Sequence, residues 1–79
     1  MGNFFTDQFD LYSAISSDPQ STIIRLRRAI LAATGEDMGQ DIKDACTTIS
    51  EHQSYEFAFE EVDALFKLLE EKIGVEGVI

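Results

Sequence analysis

The chain has 79 residues, with fifteen Asp and Glu against six Lys and Arg and a formal net charge of −9. Hydrophobic residues make up 44%, a globular rather than a disordered composition. The length argues against a multi-domain enzyme. The longest apolar runs are too short for a membrane span, and the acidity opposes direct binding to nucleic acid or an anionic membrane.

The expectation is a single acidic helical domain over residues 1–79. A lone cysteine, Cys46, permits no internal disulfide and fits a reducing, cytoplasmic setting. Met1-Gly2-Asn3-Phe4-Phe5-Thr6 matches the N-myristoylation pattern at Gly2, but no polybasic patch follows to strengthen a single acyl chain. The charge is uneven. Residues 1–35 carry three acids and three bases, whereas residues 36–79 carry twelve acids and three bases, so all of the net charge lies in the second half.

Four helical segments are expected; the one rival is a strand at Tyr55-Phe59, where Tyr55, Phe57 and Phe59 alternate. The first runs from Phe4 or Thr6 to Ser16. At about 100° per residue, Phe4, Phe5, Phe9, Leu11, Tyr12 and Ile15 share one broad face. Thr6 is a candidate N-cap, with Asp7 in the first turn. Asp18-Pro19 then opens the second helix, because a proline at the first helical position lacks only an N–H that would be unpaired there. That helix should reach Thr34, with Gly35 as a left-handed cap. Arg25, Arg27 and Arg28 lie towards its C-terminal half, on the favourable side of the helix dipole.

The third helix should begin at Asp37 or Met38 and end between Ser50 and His52. Its stripe is Met38, Ile42, Ala45, Cys46 and Ile49, weakened by Gly39 and by Thr47-Thr48. The fourth is capped by Ser54 and ended by Gly74. Tyr55, Phe59, Val62, Phe66, Leu69 and Ile73 recur there at alternating spacings of four and three, an a/d pattern. The tail after Gly74 is short and apolar.

Two features of the fourth helix suggest a surface. Phe57, Ala64 and Leu68 form a second apolar line flanked by Ala58 and Leu65. It serves either core packing on a central helix or an interface, with Phe57, Leu65 and Leu68 as the homodimer candidates. The remaining arc is acidic: Glu56, Glu60, Asp63 and Glu70 fall on one line, interrupted by Lys67 and flanked by Glu71. It is either a solvated face or a docking face for a basic partner. Mimicry of nucleic acid would need more carboxylates than one per helical turn, and so would need Glu36, Asp37, Asp41 and Asp44 of the third helix alongside. Arg27 falls between Ile23, Ile30, Leu31 and Thr34, so it should snorkel to the rim or pair with an internal acid; the alternative is that it points into a pocket or interface.

No catalytic constellation stands out. His52 and Cys46 are six residues apart, out of register on one helix for the hydrogen-bonded contact of a nucleophile and its base. Glu60-Glu61 and Glu70-Glu71 face different ways. No C-x-x-C, H-x-x-x-H or Gly-rich phosphate loop is present, and Asp37, Asp41 and Asp44 lack calcium-loop spacing.

The run Ala64–Glu76 looks like the end of the second helix of acyl carrier proteins. Ala58-Phe59-Glu60 then stands where their prosthetic-group serine motif belongs, so the resemblance fails. A helix-turn-helix reading fails because the recognition helix would carry Asp41 and Asp44 against only Lys43.

The expected fold is therefore all-α, a small compact bundle of three to four helices with the C-terminal helix central. The expected function is that of a non-catalytic protein-binding regulator or inhibitor, with no cofactor and no metal. Asp41, Asp44, Glu56, Glu60, Asp63, Glu70 and Glu71 would meet a basic partner surface, one that can belong to a nucleic-acid-binding protein. In general character this resembles the small acidic helical proteins with which bacteriophages block host defence or transcription. The alternative is a structural homodimer in which the acidity serves solubility alone.

Overall fold

The computed structural model describes Phe5 and residues 7–74. Among these there are four α-helices and no strand: α1 (Gln8–Ser17), α2 (Pro19–Thr34), α3 (Gly39–Glu51) and α4 (Tyr55–Ile73). Each pair of helices is in contact, so the chain is a small all-α bundle. The expectations for Gly2, Phe4, Thr6 and the apolar tail fall outside the described residues.

The caps explain where the helices stop. Asp7, not a residue inside the first turn as expected, is the N-cap of α1: its backbone is extended and its carboxylate accepts from the Asp10 N–H at 2.8 Å. A side-chain acceptor there satisfies an N–H that has no partner in the helix. Asp18 serves two helices. Its N–H ends α1 on the Ala14 carbonyl at 3.0 Å, and its carboxylate accepts from the Ser21 N–H of α2 at 3.1 Å. The Thr22 hydroxyl, buried at 2% exposure, donates towards the Ala14 carbonyl at 3.0 Å and the Asp18 carbonyl at 2.9 Å. The corner between α1 and α2 is thus held by Asp18 and Thr22.

Gly35 adopts φ 77°, and its N–H bonds the Leu31 carbonyl at 2.8 Å, a conformation that a Cβ would strain. The arginines of α2 lie in its middle; its last turn contains no basic residue. The expected dipole benefit is therefore absent, because that effect fades beyond the terminal turn. Ser54 faces the Phe57 N–H at 3.5 Å, a long cap for α4, and the Gly74 N–H closes that helix on the Glu70 carbonyl at 2.9 Å.

The core collects Phe5, Leu11, Ile15, Leu26, Ile30, Ile42, Cys46, Ile49, Ala58, Val62, Leu65, Phe66 and Leu69. Two helices are rotated relative to the sequence expectation. In α2 the buried line is Thr22, Leu26 and Ile30, while Arg27 and Leu31 face outward. Thr22 can go inside because both neighbouring carbonyls take its hydroxyl, which removes the usual penalty of a buried polar group.

In α4 the buried arc is Ala58, Val62, Leu65, Phe66 and Leu69. A regular a/d stripe describes a narrow seam. A helix that touches three neighbours buries a wider arc, here centred between the stripe and the second apolar line. Leu65 is consequently a core residue at 3% exposure and is withdrawn from the proposed open interface. Phe59 moves the other way, to 43% exposure.

Candidate functional site

Around its circumference α4 presents three outward strips beside its buried arc. The first faces α1. Tyr55 is half-buried at its centre, with the Phe9 ring 5.1 Å away and nearly perpendicular, the Phe59 ring 5.6 Å away and also nearly perpendicular, and the Tyr12 ring 5.4 Å away and tilted. Phe9 and Phe59 remain 54% and 43% exposed. Edge-to-face rings attract one another and remain ordered without being fully covered. The result is a fixed aromatic seam on the surface between α1 and α4.

Carboxylates border that seam. Asp7 and Asp63 both act on Tyr55: burial is the main reason its phenol titrates above its ordinary value, and the two nearby negative charges add to that. Asp63 accepts from the Gln8 side-chain amide at 3.1 Å and pairs with Lys67 at 3.1 Å. The hydrogen bonds from Lys67, then Gln8, hold its carboxyl below the usual carboxylate range.

The second strip is acidic. Glu56, Glu60 and Glu71 are exposed, and no ion pair engages them among the described residues; Lys67 is the one cation on the strip, already tied to Asp63. Helical spacing places Glu56 and Asp63 one turn on either side of Phe59, so the acidic strip and the aromatic seam share an edge. Glu70 is half-buried at the margin.

The third strip faces α3. Ala45, Thr48, Ala64, Leu65 and Leu68 line a shallow groove with Asp44 and Glu61 at its rim. Asp44 accepts a hydrogen bond from the Gln40 amide at 2.9 Å, and Glu61 faces the His52 Nε2 at 2.7 Å. Phe57 stands at the N-terminal end of α4, 68% exposed, and Leu68 is half-buried in the groove. The second apolar line therefore divides into core (Ala58, Leu65), groove (Ala64, Leu68) and open surface (Phe57).

The acids of α3 and its approach do not add up to the extended array that mimicry of nucleic acid requires. Asp37 holds Arg27 through two hydrogen bonds, at 3.0 and 2.9 Å, and Glu36 pairs with Lys72 at 3.4 Å. Asp41 alone of the four named acids is exposed and unengaged. Arg27 reaches the surface, as the snorkelling expectation has it, and finds its acidic partner there rather than inside; its side chain is 54% exposed.

Cys46 is fully buried, and burial pushes its thiol up to about 11. It is protonated at neutral pH and is no activated nucleophile. Among the described residues no group of three or more His, Cys, Asp or Glu gathers as metal ligands, and no helix is long and apolar enough to cross a membrane. What the surface offers chemically is a strip of glutamates that pair with no cation among the described residues, beside exposed aromatic rings. The carboxylates were legible in sequence. The seam was not: periodicity places these rings on the apolar faces of two separate helices, and no spacing within one helix pairs them. No protein-family model, curated protein or solved structure matches the chain.

Proposed function

We propose that the chain is a non-catalytic protein-binding regulator or inhibitor that docks on a basic partner surface through the outer face of α4. One observation carries this reading: Glu56, Glu60 and Glu71 lie on one exposed strip with no cation among the described residues engaged to them. Like charges spaced three and four residues apart repel one another on an isolated helix. A basic surface relieves that repulsion, and the gain falls with ionic strength. Asp63 supports the edge of this face, while Glu70 lies at its margin. Asp41 and Asp44 belong to a separate helix and extend the negative field rather than the strip. Basic surfaces that hold nucleic acid are suitable partners, and blocking such a surface is the inhibitory role that fits.

The test is a binding measurement on the captured partner with the wild type and with the Glu56→Lys/Glu60→Lys variant, at low and at high salt. Charge reversal should abolish most of the binding, and salt should weaken what the wild type shows. Binding indifferent to both rejects the reading.

A homodimer is the second reading, and it rests on Phe57, the most exposed large apolar side chain among the described residues, with Leu68 at the groove. Light scattering from roughly 100 μM to about 1 μM would reveal it, and Phe57→Glu should then give a monomer. A monomer throughout the range removes this reading.

A further inference from the structure

We propose that the aromatic seam between α1 and α4 is the specificity element of the docking face, and that it receives arginine side chains of a basic partner segment. This rests on the acidic-face reading for its partner and adds the chemistry that selects it. Phe9, Tyr12, Tyr55 and Phe59 lie with neighbouring ring centroids 5.1 to 6.2 Å apart. The two outer rings are held nearly perpendicular to Tyr55, yet about half of Phe9 and Phe59 is open to solvent. Rings packed only for the core would be covered.

The occupant follows from charge. Asp63 and Glu56 lie one turn from Phe59, and Asp7 stands close enough to Tyr55 to disfavour its ionisation. An apolar segment would gain from the rings but would cover Glu56, which pairs with no cation among the described residues, without compensation. A planar cation satisfies both, because it stacks on a ring face while its N–H groups reach the bordering carboxylates. Arginine suits this better than lysine: the guanidinium is flat, weakly hydrated and has five donors in a fixed fork. The fold already uses this kind of contact among the described residues, with the Arg25 guanidinium 5.8 Å from the centre of the Phe5 ring.

The experiment titrates the full chain with a short oligoarginine peptide and with oligolysine and oligocitrulline peptides of equal length, followed by calorimetry and by NMR shift mapping. Oligoarginine should bind roughly three- to tenfold more tightly than oligolysine. The largest shifts should fall on Phe9, Tyr12, Tyr55 and Phe59, and Phe9→Leu/Phe59→Leu should erase the preference. The mapping on the wild type does not depend on the variant folding.

Equal affinity for the two cationic peptides, lost in Glu56→Gln/Glu60→Gln but not in Phe9→Leu/Phe59→Leu, would overturn the seam's role and leave the acidic face as a generic docking surface. No binding of either peptide at low salt would remove both readings. Oligocitrulline binding as well as oligoarginine would make the seam an apolar site rather than a cation site. Self-association abolished by Phe9→Leu/Phe59→Leu would make a second copy its occupant; either result also overturns the proposal.

Discussion

The connection between α2 and α3 and the seam between α1 and α4 are built from the same ingredients and use them in opposite ways. At the connection, Asp37 ties down the Arg27 guanidinium and also accepts from the Gly39 N–H at 2.9 Å. Glu36 holds Lys72, and the Glu36 N–H bonds the Thr34 hydroxyl at 3.1 Å. Even the glycine is engaged: a Cβ on Gly39 would come within 2.9 Å of the Arg27 side chain, so the arginine passes directly over the start of α3. At the seam, rings stay half open and the adjacent glutamates pair with no cation among the described residues. Charges that the fold engages say nothing about partners; charges left unengaged beside exposed rings do.

Both regions stand on one core, and breaking that core has the largest expected effect. Leu69→Ala removes a fully buried side chain from α4, which packs against the three other helices as each of them does, and the loss should be about 2–5 kcal/mol. Urea unfolding can be followed by two probes of different reach. The chain has no tryptophan and two tyrosines, Tyr12 and Tyr55, both in the seam, so tyrosine fluorescence reports the seam alone while far-ultraviolet dichroism reports every helix. The two curves should coincide in the wild type and in Leu69→Ala. If the seam melts first, the two regions are separate units, and the openness of the rings reflects loose packing rather than a built surface.

The thiol of Cys46 gives an independent check on that cooperativity. Burial both covers it and holds it protonated, so a thiol reagent at neutral pH should react only as fast as the chain opens. Reaction at the rate of a free thiol would mean that α3 separates from the core on its own.

Sequence signals with a local cause proved readable. Asp18-Pro19 and Gly35 set the ends of α2 as expected, because caps depend on neighbouring residues only. At the start of α1 two adjacent cap formers compete, and Asp7, whose carboxylate suits the N-cap better than a threonine hydroxyl, takes the position expected for Thr6. Faces were harder to read than ends. Periodicity gives an apolar arc but not how many neighbours cover it, which is why Leu65 moved inside and Phe59 moved out. The acidic strip of α4 could be read because one helix carries it. The seam needed Phe9 and Tyr12 brought against Tyr55 and Phe59, a long-range pairing that no spacing encodes.

Removing one negative charge should change stability in opposite directions in the two regions. Asp37→Asn should destabilise, since the folded carboxyl titrates below its ordinary value of 3.8 because of the Arg27 bonds first and the Gly39 N–H next. A lowered folded value means that the contribution is complete above the unfolded value and disappears as pH falls through the folded one. The Tm gap between wild type and Asp37→Asn should therefore be constant above about pH 5 and close progressively below the ordinary carboxylate value. Both side chains are half exposed, 54% and 51%, so added salt should narrow the gap as well. A gap that persists into strong acid would mean that Asp37 acts through shape rather than charge.

Glu60→Gln should do the reverse, with the smallest effect. Glu60 has Glu56 one turn before it and Asp63 one turn after it, and neutralising the middle charge removes two like-charge contacts. The gain should be about 0.2–0.5 kcal/mol at low salt, visible as a small rise in Tm that vanishes as salt screens the strip. The same variant should bind a basic partner less well. A rise in stability joined to a loss of binding is what distinguishes a docking strip from a merely solvated face, for which neutralisation improves stability and leaves binding unchanged. If Glu60→Gln instead lowers Tm as Asp37→Asn does, the glutamate has a partner within the fold, and the contrast between the two regions no longer holds.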